Sequence, residues 1–291
     1  EIALGFRLFE SHAGRYRDSV RYREWIDRAE QRREQPSLES LAELYVTRIL
    51  LVRDEAKNQM ALDLALPAEE LDERETSSVR AAAELFMHTE LTIRYYFGID
   101  RLCVMATNNV EELLFLAAAL YEGLKAKQVL RKPEVVLSPL EQQKLLKDAA
   151  KRKRKFIPKN HTDGQRAQRL LDSIAVYCHE KTYLPNAPYA PGVSGVRLSR
   201  AELGKLTSAS KPLGEPGMHL ARVLAECAAE NLGVARQSAA STSRDRGTVF
   251  YLNRTLCAHY DLPLQMGGWQ DVSAGDMIKW MERRLTPSRT S

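Results

Sequence analysis

Helical periodicity runs almost without interruption through the first half of the chain, and this feature most limits the possible folds. Apolar residues recur at helical spacing after a Ser37 cap, and further helices are predicted over 16–33 and 77–95. Thr107-Asn108-Asn109 followed by two glutamates predicts another helix start, because capping side chains and first-turn acids suit the free N–H groups there. That helix, extending to Gln128, is apolar on more than one side and is predicted to be central to the core of the first unit.

The last third of the chain has a different order of patterns. Capping residues, Pro and Gly divide it into shorter elements, and β-branched and aromatic residues appear near its middle. The predicted elements are helices over 166–181, 199–206 and 218–231, an extended loop over 185–195, and strands beginning at Val234 and covering 248–252. Helix, turn, helix and hairpin in this order indicate a winged helix.

The length of 291 residues predicts more than one structural unit, because single domains usually hold ~100–200 residues. A hydrophobic content of 44% is enough to form a core. The pattern changes at Pro133, after which Ser138 and Pro139 begin a basic helix. We therefore predict a mainly α fold, in which a multi-helical N-terminal unit precedes a winged-helix domain made of a helix-turn-helix and a β-hairpin. The predicted domains are a helical, lid-like domain over 1–132, a basic helix and linker over 133–165, and a winged-helix-like domain over 166–291.

Positive charge is most concentrated along the predicted basic helix. Adjacent cations repel one another unless an anion screens them, so such a run attracts phosphate groups. Two interpretations stay open: contact with nucleic acid, or a solvated helix end where cations complement the helix dipole. The formal net charge of +5 permits contact with phosphates but also serves solubility. The run, which is followed by Lys159, consists of Lys151, Arg152, Lys153, Arg154 and Lys155.

The remaining chemistry-bearing residues indicate neither a metal site nor catalysis. Cys178-His179 and Cys257-Ala258-His259 lack the paired cysteines of a zinc site, and both have apolar helical neighbours. The four cysteines are too scattered for a disulfide framework and are predicted to be reduced, buried thiols. No run of ~18 apolar residues and no signal-peptide pattern occurs, so the cytoplasm is the expected compartment and no membrane partner is expected.

The order of elements over 166–280 resembles the C-terminal winged-helix region of bacterial origin-recognition-like ATPases of the AAA+ and STAND type. Residues 101–128 look like the helical lid that follows the nucleotide-binding core in such proteins. Besides the two helices of the predicted helix-turn-helix, the resemblance rests on a hairpin tipped by Arg244 and Arg246. It also rests on the segments that follow, which are Leu262-Pro263-Leu264, Gly267-Gly268-Trp269 and residues 276–280.

The chain departs from these ATPases where nucleotide chemistry is concerned. It contains no Gly-x-x-x-x-Gly-Lys-[Ser/Thr] loop, so nucleotide hydrolysis is not carried over to it. The resemblance instead implies an ATPase core encoded before Glu1, with ATP and Mg²⁺ bound there. We therefore expect no cofactor, no metal and no catalytic residue in this chain.

Two functions from different classes remain as hypotheses. The first is a non-catalytic accessory region that binds the backbone of double-stranded DNA without reading its sequence. The residues expected to contact DNA are the basic run, Lys159, Arg222, Arg244 and Arg246. Specific base reading is not expected, because Glu226 and Glu230 on the second helix of the motif would be repelled by a phosphate-lined groove. The alternative is a protein-interaction or oligomerisation module that docks other subunits or domains of the parent protein through the apolar face over 113–124 or through the winged helix.

Overall fold

A computed structural model shows the architecture of the chain. The structure describes residues 1–57, 66–183, 192–206, 213–238, 247–266 and 268–286. Contacts divide the chain into two compact units, one spanning Glu1–Tyr95 and the other Tyr96–Tyr183 together with the chain from Val193 onward. The predicted division at residue 133 therefore differs from the observed grouping, in which residues 96–132 belong with the helices that follow them.

The first unit is built from helices that pack around one apolar core. Trp25, Leu41, Leu44 and Tyr45 are almost completely buried in that core. The helix predicted over 16–33 begins only at Arg23, because the chain before it forms two short 3₁₀ turns. The helices are α1 (Ile2–Ala13), α2 (Arg23–Gln31), α3 (Leu38–Lys57), α4 (Ala68–Arg74) and α5 (Ser77–Leu91).

The second unit combines helices with a small sheet. Its helices are α6 (Ile99–Met105), α7 (Val110–Val129), α8 (Pro139–Asn160), α9 (Gly164–Thr182), α10 (Arg200–Leu206), α11 (Gly214–Ala229), α12 (Arg254–His259) and α13 (Ala274–Glu282). Its strands are β1 (Val193–Ser199), β2 (Gly233–Gln237), β3 (Gly247–Leu252) and β4 (Gly268–Asp271). Helix α9 lies at its centre, with Leu170, Ile174 and Cys178 buried against the surrounding elements.

The sheet has the strand order β2-β3-β1-β4. Strand β3 pairs antiparallel with both β2 and β1, so that Phe250 lies opposite Ala235 on one side and Val196 on the other. Strand β4 pairs parallel with β1. A Cβ added at Gly195 would lie 2.6 Å from the ring of Tyr251, so the close approach of β1 to β3 requires glycine there.

Several sequence predictions are confirmed and others need correction. The strand predicted over 248–252 lies within β3, and the predicted helix 199–206 is α10 after a strand residue at Ser199. The extended loop predicted over 185–195 is corrected at its end, because residues from Val193 onward form β1. Nothing local marks that strand, since its hydrogen-bonding partners lie about fifty positions further along the chain.

The prediction that α7 is central to a core of the first unit is also corrected. Helix α7 belongs to the second unit, where it packs against α6 and α8. Its buried residues are Glu112, Leu116 and Ala119, while Leu114 is 64% exposed. Val110, Tyr121 and Val129 are exposed as well, so part of its apolar surface stays open.

Candidate nucleic-acid interface

Helix α8 begins as its sequence predicts. The Ser138 side chain accepts a hydrogen bond from the Glu141 N–H, and the Glu141 carboxylate accepts one from the Ser138 N–H at 2.8 Å. Pro139 occupies the first helical position, where no backbone donor is needed. This reciprocal cap sets where the helix starts, and 22 residues of continuous helix then carry the predicted basic run.

One side of α8 forms a positively charged surface. Lys144, Lys151 and Lys155 are seven and four positions apart, so they share a helical face, and all three are exposed. Lys159 extends this face by another turn, and Arg152 flanks it at 3.7 Å from Glu122. None of the four lysines forms an ion pair with any residue that the structure describes. We call these five residues the cationic face of α8; Asp148 is the exposed acid within it.

Lys153, in the middle of the basic run, points into the protein. Its ammonium group pairs with the buried carboxylate of Glu112, which also accepts a hydrogen bond from the Thr255 hydroxyl at 2.7 Å. Burial lowers the pKa of Lys153 to about 8, against the opposing effect of nearby Glu111. Because its charge is already neutralised inside the unit, Lys153 is not part of the surface that a phosphate could reach.

Arg154 is also held inside the second unit. Its guanidinium donates to both carboxylate oxygens of Asp172 and, at 3.0 Å, to the hydroxyl of Tyr260. Hydrogen bonding to Asp172 raises the pKa of Arg154 above its usual range. The predicted run of five adjacent cations is therefore divided by the helix into three that face outward and two that fasten α8 to its neighbours.

An open cleft of about 340 Å³ lies next to the Lys153 ammonium. Its lining includes Glu111 and Glu230, and Phe115 and Phe156 contribute apolar surface. Because the only lysine in the lining is already paired with Glu112, the cleft has a negative balance of charge. A phosphate group is therefore attracted more strongly to the cationic face of α8 than to this cleft.

Helix α11 presents few groups that could contact nucleic acid. The side chain of Arg222 is 67% exposed and lies 3.4 Å from Asp163. Glu226, which the sequence suggested would repel phosphates, instead accepts a hydrogen bond from the backbone N–H of Thr162 at 2.7 Å, just before α9 begins. Glu230 remains exposed near His161. The face of α11 that carries Arg222 otherwise shows Glu215, Met218, Ala225 and Ala229 to solvent.

The two predicted arginines of the hairpin tip, Arg244 and Arg246, lie outside the described residues. Strand β2 contributes one further cation, Arg236, which was not among the residues predicted from the sequence. Arg236 is exposed and has no ion-pair partner among the described residues. Arg236 lies opposite Val249 of β3, next to the last pair of the two strands, Gln237 and Thr248. Its position in the predicted hairpin could have identified Arg236. Only the first residue of β2 is buried, so side chains toward the end of that strand project into solvent.

Three of the four cysteines, Cys178, Cys227 and Cys257, are buried as predicted, whereas Cys103 is exposed, which corrects the prediction for that residue. Cys178 donates to the carbonyl oxygen of Gly195 at 3.7 Å, and burial raises its pKa well above the usual value. Burial likewise raises the pKa of Cys257 to about 12. Neither thiol is therefore ionised at neutral pH, as a nucleophile or metal ligand would be. Among the residues that the structure describes, no three His, Cys, Asp or Glu side chains form a group able to hold a metal ion.

No helix within the described ranges is both long and apolar enough to cross a bilayer. Neither the curated proteins nor the solved structures include a match to this sequence. A match to a protein family covers residues 9–269, which includes nearly all of both units. This match confirms the family resemblance seen in the order of elements, and the chain belongs to the ORC-CDC6-like family.

Proposed function

We propose that this chain binds the backbone of double-stranded DNA, without reading its sequence, through the cationic face of α8. The observation that carries the proposal is that Lys144, Lys151, Lys155 and Lys159 follow one exposed side of a 22-residue helix without ion pairs to the described residues. Phosphates release condensed counterions when lysines neutralise them, and this release favours binding at such a surface. Paired cations such as Lys153 and Arg154 contribute nothing to it.

We further infer that α10, α11 and the β2–β3 hairpin, completed by β1, act as a winged helix that orients the chain on DNA. The element order and the antiparallel pairing of β3 with both β2 and β1 support this interpretation. Specific base reading needs side-chain donors and acceptors in the groove, and the exposed face of α11 offers chiefly Arg222. Contacts from Arg222 and Arg236 would therefore position the duplex without specifying its sequence.

The proposed role is non-catalytic and requires no cofactor in this chain. Membership of the ORC-CDC6-like family supports a role beside an ATPase, and the buried neutral thiols of Cys178 and Cys257 do not support nucleophilic catalysis. ATP and Mg²⁺ are assigned to a nucleotide-binding core of the parent protein. A protein-interaction role, the alternative from the sequence, is favoured by a separate surface on α7.

Removal of three cations from α8 tests the proposed interface. The full chain with Lys151→Gln, Lys155→Gln and Lys159→Gln is compared with the unmodified chain by fluorescence anisotropy on a labelled duplex at several salt concentrations. Each lost phosphate contact lowers the slope of log K against log salt by about 0.9, so the triple variant is expected to lose up to about 2.7 from that slope. Duplexes of unrelated sequence should bind equally well.

A matched variant controls for the change in net charge. Arg7, Arg23 and Lys279 are exposed cations outside α8, and their replacement with glutamine removes the same charge. This control is expected to keep the slope of the unmodified chain. Binding that does not depend on salt, or an equal loss of slope in both triple variants, would show that α8 is not the site.

A further inference from the structure

Helix α7 carries three large apolar side chains along one side that no described part of the second unit covers. Val110 is 70% exposed, Leu114 is 64% exposed and Tyr121 is 59% exposed. These positions are four and seven residues apart, so they lie along one side of the helix. Ala118 is exposed between them, and the charged residues exposed along this side are Glu111, Glu122 and Lys125. Leu113, Ala117, Leu120 and Leu124 flank the exposed positions and are half-buried.

The opposite side of α7 explains why this face stays open. Leu116 and Ala119 are buried there, and Gly123 allows close packing, since a Cβ at Gly123 would lie 2.5 Å from the Leu145 side chain on α8. The helix is therefore fixed by α8 along one side and exposes Val110, Leu114 and Tyr121 along the other. A helix that is apolar on both sides is normally buried, and an exposed apolar patch of this kind marks an interaction surface.

The charges at the two ends of the face indicate what covers it. Glu111 lies near the start of α7 and Lys125 lies fourteen positions further on, close to four full helical turns, so both border the same edge. Both residues are exposed and neither forms an ion pair with a described residue. Lys125 contacts its own helix, donating to Gln128 and lying 5.7 Å from the ring centre of Tyr121.

Such a face is complementary to itself when two copies meet in opposite directions. A two-fold axis through the middle of the face exchanges its ends, which brings Glu111 of each copy opposite Lys125 of the partner subunit. The same operation places Leu114 against the partner's Tyr121. The centre of the contact is formed by Ala117 and Ala118, whose small side chains allow the two helices to approach closely.

We propose that two copies of this chain associate through an antiparallel pairing of their α7 helices. The occupant of the apolar face is a second copy because one set of residues supplies both the apolar surface and the opposite charges at matching positions. Each two-fold contact buries Leu114 and Tyr121 twice and forms the Glu111–Lys125 pair twice. This association uses α7 alone and is independent of the cationic face of α8.

The centre of the contact is tested first. Sedimentation of the full chain at concentrations up to about 100 µM is expected to show a species of twice the monomer mass. Ala118→Glu places two like charges at the two-fold axis and is expected to give a monomer at the same concentrations. Because Ala118 is exposed, an unchanged circular dichroism melting curve should confirm that the variant is folded.

Charge reversal then identifies the arrangement of the two helices. Glu111→Lys and Lys125→Glu each create like-charged pairs at both ends and are each expected to weaken self-association about tenfold. The double variant restores opposite charges and should recover the dimer. A mixture of the two single variants should form one-to-one heterodimers, since every end pair is then attractive.

Three results would overturn the proposed pairing of α7 helices or its antiparallel arrangement. A chain that stays monomeric without any substitution overturns it, and so does a dimer that persists in Ala118→Glu. A double variant as weak as either single variant overturns the antiparallel arrangement. The DNA-binding measurements above do not depend on any of these results, because the substituted residues lie on a different helix.

Discussion

Replacement of Asp172 with alanine is expected to destabilise the second unit by about 3–5 kcal/mol, because it leaves a partly buried cation without its counter-charge. The Asp172 carboxylate is 2% exposed and accepts hydrogen bonds from Arg154 and from the hydroxyl of Tyr260. Arg284 lies 3.4 Å away but is half exposed and adds less. Since Asp172 is on α9, Arg154 on α8 and Tyr260 just after α12, one carboxylate joins three elements.

The tyrosine in this cluster adds to the effect. Burial raises the pKa of Tyr260, and the negative charge of Asp172 raises it further, so its hydroxyl remains a donor at any ordinary pH. Alanine at 172 removes the acceptor and leaves that buried hydroxyl without its partner. A buried donor without an acceptor costs about 1–3 kcal/mol, which is part of the expected total.

Urea unfolding of the full chain measures this loss. A Trp25→Phe background leaves Trp269 and Trp280, both in the second unit, as the fluorescent reporters. Asp271→Ala is the matched control. The Asp271 carboxylate also accepts hydrogen bonds from two guanidinium nitrogens of one arginine, Arg197, but the Asp271 side chain is 64% exposed. The control is expected to cost less than about 1 kcal/mol. Equal losses in both variants would show that burial of Asp172 is not important.

Replacement of Asp54 with alanine is expected to destabilise the first unit by about 3 kcal/mol or more, for the same physical reason. Asp54 is 1% exposed and accepts hydrogen bonds from Arg21 at 2.6 Å, from Arg74 at 2.7 Å and from the Tyr22 hydroxyl at 2.9 Å. The residue lies on α3, whereas Arg74 ends α4 and Tyr22 precedes α2. Without the carboxylate, two guanidinium groups of like charge face one another.

Urea unfolding of the first unit is followed by the fluorescence of Trp25, in a chain in which Trp269 and Trp280 are changed to phenylalanine. Asp72→Ala serves as the control. The Asp72 carboxylate accepts hydrogen bonds from two guanidinium nitrogens of Arg28, while the Asp72 side chain is 59% exposed. We expect this control to have little effect on the free energy of unfolding. An Asp54→Ala transition that coincides with the control would contradict the prediction.

The stabilising effect of Asp54 should also depend on pH. Burial alone would raise its pKa, but hydrogen bonds from Arg21, Arg74 and Tyr22 lower it to about 2. A carboxyl whose pKa is lower in the folded state than in the unfolded state stabilises the fold above its unfolded pKa of about 4 and loses this effect as the pH falls toward 2. The stability difference between the unmodified chain and Asp54→Asn should therefore shrink as the pH is lowered from about 4 to about 2.

The amino-acid sequence by itself determined the features that depend on neighbouring residues. Ser138 and Asn109 cap α8 and α7 as predicted, because a side-chain oxygen satisfies backbone donors only two or three positions away. The strand over 248–252 was likewise evident from its run of β-branched and aromatic residues. These signals are local, so they survive without any knowledge of the rest of the fold.

Only the tertiary structure decided which side of each element faces the interior. Lys151 and Lys155 face outward while Lys153 and Arg154 face inward, because Glu112 and Asp172 come from distant parts of the chain to meet the latter two. Strand β1 exists because β3 pairs with it, and α7 stays open because α8 covers a single side of it. The sequence of a helix does not fix its rotation about its own axis. The residues that pack against the helix set that rotation, and they therefore decide which charges remain available to a partner.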